Sequence, residues 1–241
     1  VMADNVYFPL AFGVLSEREM QPSVDYLESH VGDSFPYPYA YPPYDCVNSG
    51  LWTAWWLPRS WQEPLCHFAL AMRELERPSR VYQTVRKQAE RFALDDEVWE
   101  HYHPDTGEPG GRRGYSTTSA CLNIAIVEAL FGLRPAEPGF RRISVRPALP
   151  SAWPAASLDT VVNGRHIRYT IRQSPDQVTC DFSGCDDLPV YLVLPLPENW
   201  EPQQVQSDVT GKVRWLHGEH RPCLEASFAI REHPVITCRL G

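Results

Sequence analysis

The apolar residues of this chain change their period once, and that change constrains the fold more than any other feature. Up to about residue 135 they recur at helical spacing; after "LRPAEPGF" they come in short alternating runs. A helix repeats a face about every 3.6 residues and a strand every second residue, so the two patterns belong to different elements. In the first part, "SEREMQPSVDYLESH" opens with Ser16 as the expected N-cap and Glu19 three residues on. "WQEPLCHFALAMREL" puts Leu65, Phe68, Ala69 and Met72 on one face, and "RVYQTVRKQAERFAL" does the same with Val81, Val85, Ala89 and Phe92. "STTSACLNIAIVEALFG" is apolar on most sides and is expected to be buried on most sides. Ser116 or Thr117 would cap it and Gly132 would close it.

In the second part, "RRISVRPALP", "SLDTVVNG", "RHIRYTIRQ", "QVTCDFSG", "LPVYLVLPLP", "KVRWLHG", "CLEASFAI" and "PVITCRLG" read as strands separated by turn residues. Asn163-Gly164 predicts a tight hairpin turn. The expected organisation is α+β in two domains, helices over 1–135 and an antiparallel β-sandwich over 139–241.

With 241 residues, of which 43% are hydrophobic, the chain can bury a core without staples. Its net charge of −8 argues against a nucleic-acid partner, which needs clustered Lys and Arg. Arg112 and Arg113 read as solvated surface, with the alternative that one meets an anionic substrate such as a glycerate or uronate. No window approaches the roughly 18 apolar residues of a spanning helix, and "VMADNVYFPLAF" lacks a basic leader. No membrane partner is expected, a soluble chain is, and the compartment stays open. Seven cysteines without a CxxC read as reduced, mostly buried thiols. No nucleophile elbow, phosphate loop or dinucleotide fingerprint occurs, so no cofactor is expected.

Chemistry-bearing residues crowd into "WEHYHPDTGEPGGRRGYSTTSA", residues 99–120. Glu100 is expected where a helix gives way to a loop, with His101 and Tyr102 placed to hold it by hydrogen bonds. The Gly110-Gly111 turn would let backbone approach a substrate. Glu100, His101 and His103 also invite a metal reading, but the segment runs into a Pro-Asp-Thr-Gly turn with no third histidine nearby, so none is expected. Asp95-Asp96-Glu97 reads as a solvated helix end. Upstream, "GDSFPYPYAYPPYDCVNSGLWTAWWLPRSW" carries too many prolines for a helix and too many aromatics for an ordinary exposed loop. Such aromatic faces suit the flat CH surfaces of sugar rings.

The pattern E-x-Y-x-P-x-T-G in "EHYHPDTG", the glycine-rich stretch after it, the helix start at Tyr115 and the terminal β region resemble the C-terminal portion of the (α/α)6-barrel, or six-hairpin, glycosidases. The likeness is to the trehalase, processing-glucosidase and mannosylglycerate-hydrolase group. "NSGLWTAWW" is similar to a sugar-facing loop of those barrels, with Trp52 in place of its tryptophan, and "RISVRPALPSAWP" with "VVNGRHIRYTI" is similar to the β domain that follows them. Specific motifs cover residues 48–61 and 99–120. The chain departs from the pattern at Tyr115-Ser116-Thr117-Thr118, which lacks a tryptophan, and at Asn48-Ser49-Gly50-Leu51, which replaces Arg-Gly-Pro.

The resemblance implies the last helices of an (α/α)6 toroid, then a β-sandwich, acting on an oligosaccharide or other glycoside. It makes Glu100 the general base of an inverting hydrolysis, with Trp52, Trp55, His101, Tyr102 and Tyr115 around the sugar. In that group the general-acid aspartate lies far upstream of the base. It is therefore expected before Val1, with the N-terminal part of the barrel as a partner segment and the isolated chain inactive. Two rivals stand beside this reading. One is a phosphorylase or rhamnosidase-like enzyme on the same barrel, the phosphorylase needing no base at Glu100. The other is a non-catalytic carbohydrate-binding or structural remnant.

Overall fold

The computed structural model describes residues 3–31, 60–61, 64–102, 106–184, 187–196, 200, 204–207, 212–217, 222–230 and 234–239. The chain is α+β and divides into two compact units, Val1–Leu130 and Phe131–Gly241.

The first unit holds α1 (Ala3–Ala11), α2 (Glu17–Val31), α3 (Pro64–Glu74), α4 (Pro78–Asp95) and α5 (Ser116–Ile124), the last running into a π-helix at Ala125–Leu130. It also holds a small antiparallel sheet, β1 (Ser60–Trp61), β2 (Trp99–Tyr102) and β3 (Pro109–Arg113), in that spatial order. Ser16 stands just before α2 and pairs with Glu19, but its hydroxyl donates to that side chain, while the Glu19 and Met20 amides go to the Ser16 carbonyl. The amide and hydroxyl of Ser16 both donate to Glu19 Oε2, at 2.8 and 2.6 Å, and hold that carboxyl below its ordinary range. Leu65, Phe68, Ala69 and Met72 of α3 are buried, and so are Cys66, Leu70, Ala71 and Arg73, which leaves α3 little solvent face. Arg73 Nη1 donates to the Glu128 carbonyl in the π-helix at 2.9 Å.

Two helices differ from expectation. On α4 the buried residues are Val81, Thr84, Val85 and Gln88, whereas Ala89 is exposed and Phe92 only half-buried. Each step of four residues overshoots a turn by about 40°, so by Ala89 a stripe begun at Val81 has rotated off the buried face. Thr84 satisfies its hydroxyl by donating to the Arg80 carbonyl at 2.9 Å. Gln88 is wholly buried, and its amide meets no hydrogen-bond partner among the described residues. Helix α5 is capped by Tyr115 rather than Ser116 or Thr117, with no side-chain cap bond. Leu122, Ile124, Ile126 and Val127 are half-buried instead of buried. Gly132 follows with φ +71°, and a Cβ there would fall 1.9 Å from the Arg146 carbonyl oxygen, so close backbone approach fixes that glycine as firmly as helix termination.

The second unit consists of β4 (Leu133–Pro135), β5 (Ile143–Val145), β6 (Ala155–Val162), β7 (Arg165–Ser174), β8 (Gln177–Gly184), β9 (Pro189–Pro195), β10 (Gln204–Ser207), β11 (Lys212–His217), β12 (Pro222–Ala229) and β13 (Val235–Arg239). They form two five-stranded sheets, in the orders β10-β13-β8-β7-β6 and β11-β12-β9-β5-β4. Each of the eight runs read from the sequence contains a strand, although in "RRISVRPALP" it is only Ile143–Val145. Strand β4 belongs to this unit, its residues Leu133 to Pro135 pairing with β5. The sheets are not wholly antiparallel, since β5 runs parallel to β9. Asn163 (φ 49°) and Gly164 (φ 72°) make the expected turn between Val162 and Arg165. Burial alternates along β8 and β9, giving each a buried face. The Tyr169 and Phe182 rings stack at 5.4 Å, and Phe182 meets Phe228 of the other sheet edge-on at 5.2 Å. The Tyr169 hydroxyl donates to the Phe131 carbonyl.

Among the described residues no helix is long and apolar enough to cross a membrane, and Cys66, Cys121, Cys180, Cys223 and Cys238 are buried thiols. Burial pushes the Cys238 thiol up to about 12 and moves Cys180 and the Tyr169 phenol well upward as well. These groups stay protonated in the folded chain but would ionise from about pH 8.5 upward once unfolded. Because the folded values are raised, the stability linked to them is full below that pH and falls as pH rises. The urea midpoint should therefore drop steadily between about pH 8 and 11, with a shallower slope in Cys238→Ala. Equal midpoints at both ends of that range would overturn this account.

Candidate functional site

Only Leu75 to Arg77 separate α3 from α4, so the two helices form a hairpin. The start of α3 and the end of α4 then lie at the same end of it. Strand β1 immediately precedes α3 and β2 follows α4, and the two pair there, Ser60 with Tyr102 and Trp61 with His101. Glu100 thus sits in a strand, which corrects the helix-to-loop placement. Helix α4 has already ended at Asp95, with Asp96 in the left-handed conformation at φ 50°. The glycine-rich stretch is likewise strand β3 rather than a loop.

The pairing of β2 with β3 is irregular in one place. Trp99 faces Arg113 and His101 faces Gly110, so Glu100 alone stands opposite Gly111 and Arg112. Such a bulge bends the strand and re-aims the side chain facing it. The half-buried Glu100 turns one oxygen, Oε2, to the Arg112 amide, which donates to it at 3.0 Å. Its other oxygen accepts no hydrogen bond from any described residue.

The hydrogen bonds expected from His101 and Tyr102 to Glu100 are absent; the backbone of Arg112 takes that role. His101 is buried, its ring lying close over the glycine pair. A Cβ on Gly110 would come 2.6 Å from His101 Nε2, and one on Gly111 would come 2.7 Å from His101 Nδ1 and 2.5 Å from Glu100 Oε2. Tyr102 is fully buried, and its hydroxyl donates to Asp95 Oδ2 at 2.7 Å. Arg91 Nε donates to the same oxygen at 2.7 Å, and the guanidinium carbon lies 4.6 Å from the centre of the Tyr102 ring. Burial, reinforced by the Asp95 carboxylate, pushes the Tyr102 phenol well above its ordinary value. Partial burial works against the charge on Arg91, but its hydrogen bonds to Asp95 and Tyr102 outweigh that and raise its pKa. Asp95 is therefore not part of a solvated helix end, since its side chain is 10% exposed. The signal in the sequence was its spacing of four from Arg91, a helical ion-pair distance.

On the near side of the bulge, Arg113 Nε donates to Glu97 Oε2 at 2.5 Å, and the arginine bond followed by the Val98 amide holds that carboxyl below its usual range. Thr118 Oγ1 donates to the Trp99 carbonyl at 3.2 Å. The Arg112 side chain is exposed. Tyr115 is half-buried, its amide donates to the Val98 carbonyl at 3.2 Å, and no described hydrogen bond joins its side chain to Glu100. Trp52, Trp55, His103 and Pro104 lie outside the described residues, and Trp61 is placed by its backbone alone. Among the described residues no group of His, Cys, Asp and Glu is gathered as a metal site. What the geometry offers chemically is a carboxylate with one oxygen fixed and one able to take a proton from a neighbouring molecule.

No family model matches the chain, and no curated protein matches it in sequence. Solved structures do. An α-L-rhamnosidase from Dictyoglumus thermophilum aligns over 99% of this chain and 25% of its own, with a TM-score of 0.62 at 10% identity. An α-L-rhamnosidase from Streptomyces avermitilis, solved with L-rhamnose, aligns over 73% of this chain and 21% of its own, at 10% identity and a TM-score of 0.40. A GH127 β-L-arabinofuranosidase from Geobacillus stearothermophilus aligns over 77% and 33%, at 12% identity and a TM-score of 0.34. The chain shares its fold with a part of the first of these glycoside hydrolases and spans about a quarter of that enzyme's length.

The glycine at the bulge provides a test of the site's geometry. At φ +77°, Gly111→Ala places a Cβ against the Glu100 carboxylate, on top of a backbone strain of about 1–2 kcal/mol. The carboxylate, the end of a flexible side chain, should swing away and the buried His101 ring, 2.7 Å from the same Cβ at Nδ1, has to shift with it, so the Arg112 amide should lose its acceptor and its NMR resonance should move. Gly114→Ala carries a comparable φ of +67° without the collision, so it should leave that resonance in place. An unmoved Arg112 amide in Gly111→Ala would show that the bulge does not hold Glu100.

Proposed function

We propose that this chain is part of a glycosidase that hydrolyses O-glycosidic bonds with inversion, and that Glu100 is its general base. The observation that carries the reading is the anchoring of Glu100 by a backbone amide opposite a bulge, with its second oxygen left for a water. In inverting hydrolysis one carboxyl group protonates the leaving oxygen while another activates water on the opposite face of the sugar, roughly 6.5–9.5 Å away. The second carboxyl group, an aspartate in the glycosidases this chain resembles, would come from another part of the barrel. The five helices would be the last of an (α/α)6 toroid and the two sheets a β-sandwich. The half-exposed Phe8 on α1 and Phe12 just after it, at 45% and 51%, and the half-buried apolar residues of α5 and the π-helix support further helices packing on this unit.

Trp52, Trp55 and Tyr115 would face the sugar, and His101 and Tyr102 would support Glu100 from beneath, as their burial suggests. Of the rival readings, a rhamnosidase-like enzyme on the same barrel gains support from the fold shared with the Dictyoglumus α-L-rhamnosidase, so an α-L-rhamnoside belongs first among the substrates.

The test is turnover of aryl α- and β-glycosides, α-L-rhamnoside included, by the longest polypeptide that contains this chain, as wild type and Glu100→Gln. Loss of at least about 10²-fold in kcat with KM nearly unchanged is expected for a general base. The anomer released should be inverted. Equal rates in the two proteins would remove Glu100 from the chemistry. A requirement for phosphate would turn the reading to a phosphorylase, and binding without turnover to a carbohydrate-binding remnant.

A further inference from the structure

Glu100 lies between two clamps. On one side, Trp99 is held in register with Arg113 while its carbonyl accepts from Thr118 Oγ1 at 3.2 Å. On the other, Tyr102 is held in register with Pro109 and anchored to Asp95 and Arg91. The mismatch in length between the strands must fall between these fixed points, and it falls opposite Glu100. The second clamp draws on three parts of the chain. Asp95 and Arg91 come from the last turns of α4, and Tyr102 from β2. The turn toward β3 also lies against Arg91, since a Cβ on Gly107 would come 3.7 Å from its Nη1. One carboxylate oxygen collects two hydrogen bonds, both at 2.7 Å, one of them from a hydroxyl with no solvent exposure. A buried network of this kind tolerates little displacement, because a half-satisfied charge in low dielectric costs more than the bonds contribute.

We propose that Arg91, Asp95 and Tyr102 are positioning residues for Glu100: their shared contact fixes the far end of β2 and so sets where the bulge falls and where the Glu100 carboxylate points. Their part in catalysis rests on the reading of Glu100 as the base. The placement of a catalytic group matters steeply, a shift of about 1 Å costing on the order of 10²-fold in rate. Tyr102→Phe removes the hydroxyl alone and Asp95→Asn the charge alone, and neither changes the volume of the core.

The amide of Arg112 reports directly on Glu100, because it donates to Oε2. Its hydrogen exchange is measured by NMR in the 241-residue chain for wild type, Tyr102→Phe, Asp95→Asn and Glu100→Ala. Exchange at Arg112 should rise at least about tenfold in the two network variants, approaching the limit set by Glu100→Ala, and neither should add to that limit in the double variant. The Gly114 amide, bonded to the Val98 carbonyl at 2.7 Å on the near side of the bulge, should stay as protected as in wild type. If both amides accelerate together, or if Arg112 does not respond in either variant, the network is scaffold and the proposal fails. Turnover by the longer polypeptide separates this from the base assignment. Tyr102→Phe should lower kcat about tenfold with KM within about twofold. A faster Arg112 exchange combined with wild-type turnover in Glu100→Gln would keep the positioning and discard the base.

Discussion

Helix α3 reaches solvent along almost none of its length, and the first unit is organised by the need to cover it. Leu65, Phe68, Leu70 and Met72 are all buried, each contributing about 1.5–3 kcal/mol by leaving water. Helices α1, α4 and α5 and the π-helix pack around them. Since α4 has 18 residues against 11 in α3 and doubles back on it, its last two turns run on by about 10 Å past the start of its partner. That overhang carries Arg91 and Asp95 to the level of β2. An apolar constraint inside the helices therefore decides where a polar network forms at their end.

The electrostatics around the site follow from the same layout. Arg113 is bound to Glu97, Arg91 to Asp95, and the Arg112 side chain points into solvent, so the neighbouring cations are used on other carboxylates or are hydrated. Glu100 is held by a backbone donor in their place. A peptide N–H fixes an oxygen in direction without the neutralising charge of an arginine, which would suit the general base proposed for Glu100. The two glycines opposite make room for that arrangement, with the buried His101 ring filling the space a side chain would have taken.

Where periodicity is long and burial one-sided, the structure could be read in advance. The eight strand runs, the Asn163-Gly164 turn and the Ser16–Glu19 start are of this kind. What escaped depends on contacts far apart in sequence. Strand β2 has four residues and β1 two, too few to show a pattern, and both exist because a helix hairpin brings them together. Thr84 and Gln88 are polar yet buried, so a stripe drawn through apolar residues alone drifts off the true face of α4. The parallel pairing of β5 with β9 leaves no local mark. The segment around Glu100 stood out by its residue types, but the Asp95 that anchors it looked like one more acidic residue in a charged run. The aromatic segment with Trp52 and Trp55 lies outside the described residues.

The bulge makes this site one that is set by counting. A substitution in β3 changes a side chain, but deleting a single residue between Gly110 and Arg113 would remove the surplus itself. Trp99 would still face Arg113 and His101 Gly110, with Glu100 opposite one residue and no bulge left to re-aim it. The number of residues joining Tyr102 to Pro109 does not enter this count, because those two are held in register by their own pairing and loop length costs little free energy. Descendants of this sequence should therefore keep the distance in residues from Pro109 to Arg113 more strictly than that between Tyr102 and Pro109 wherever Glu100 is kept.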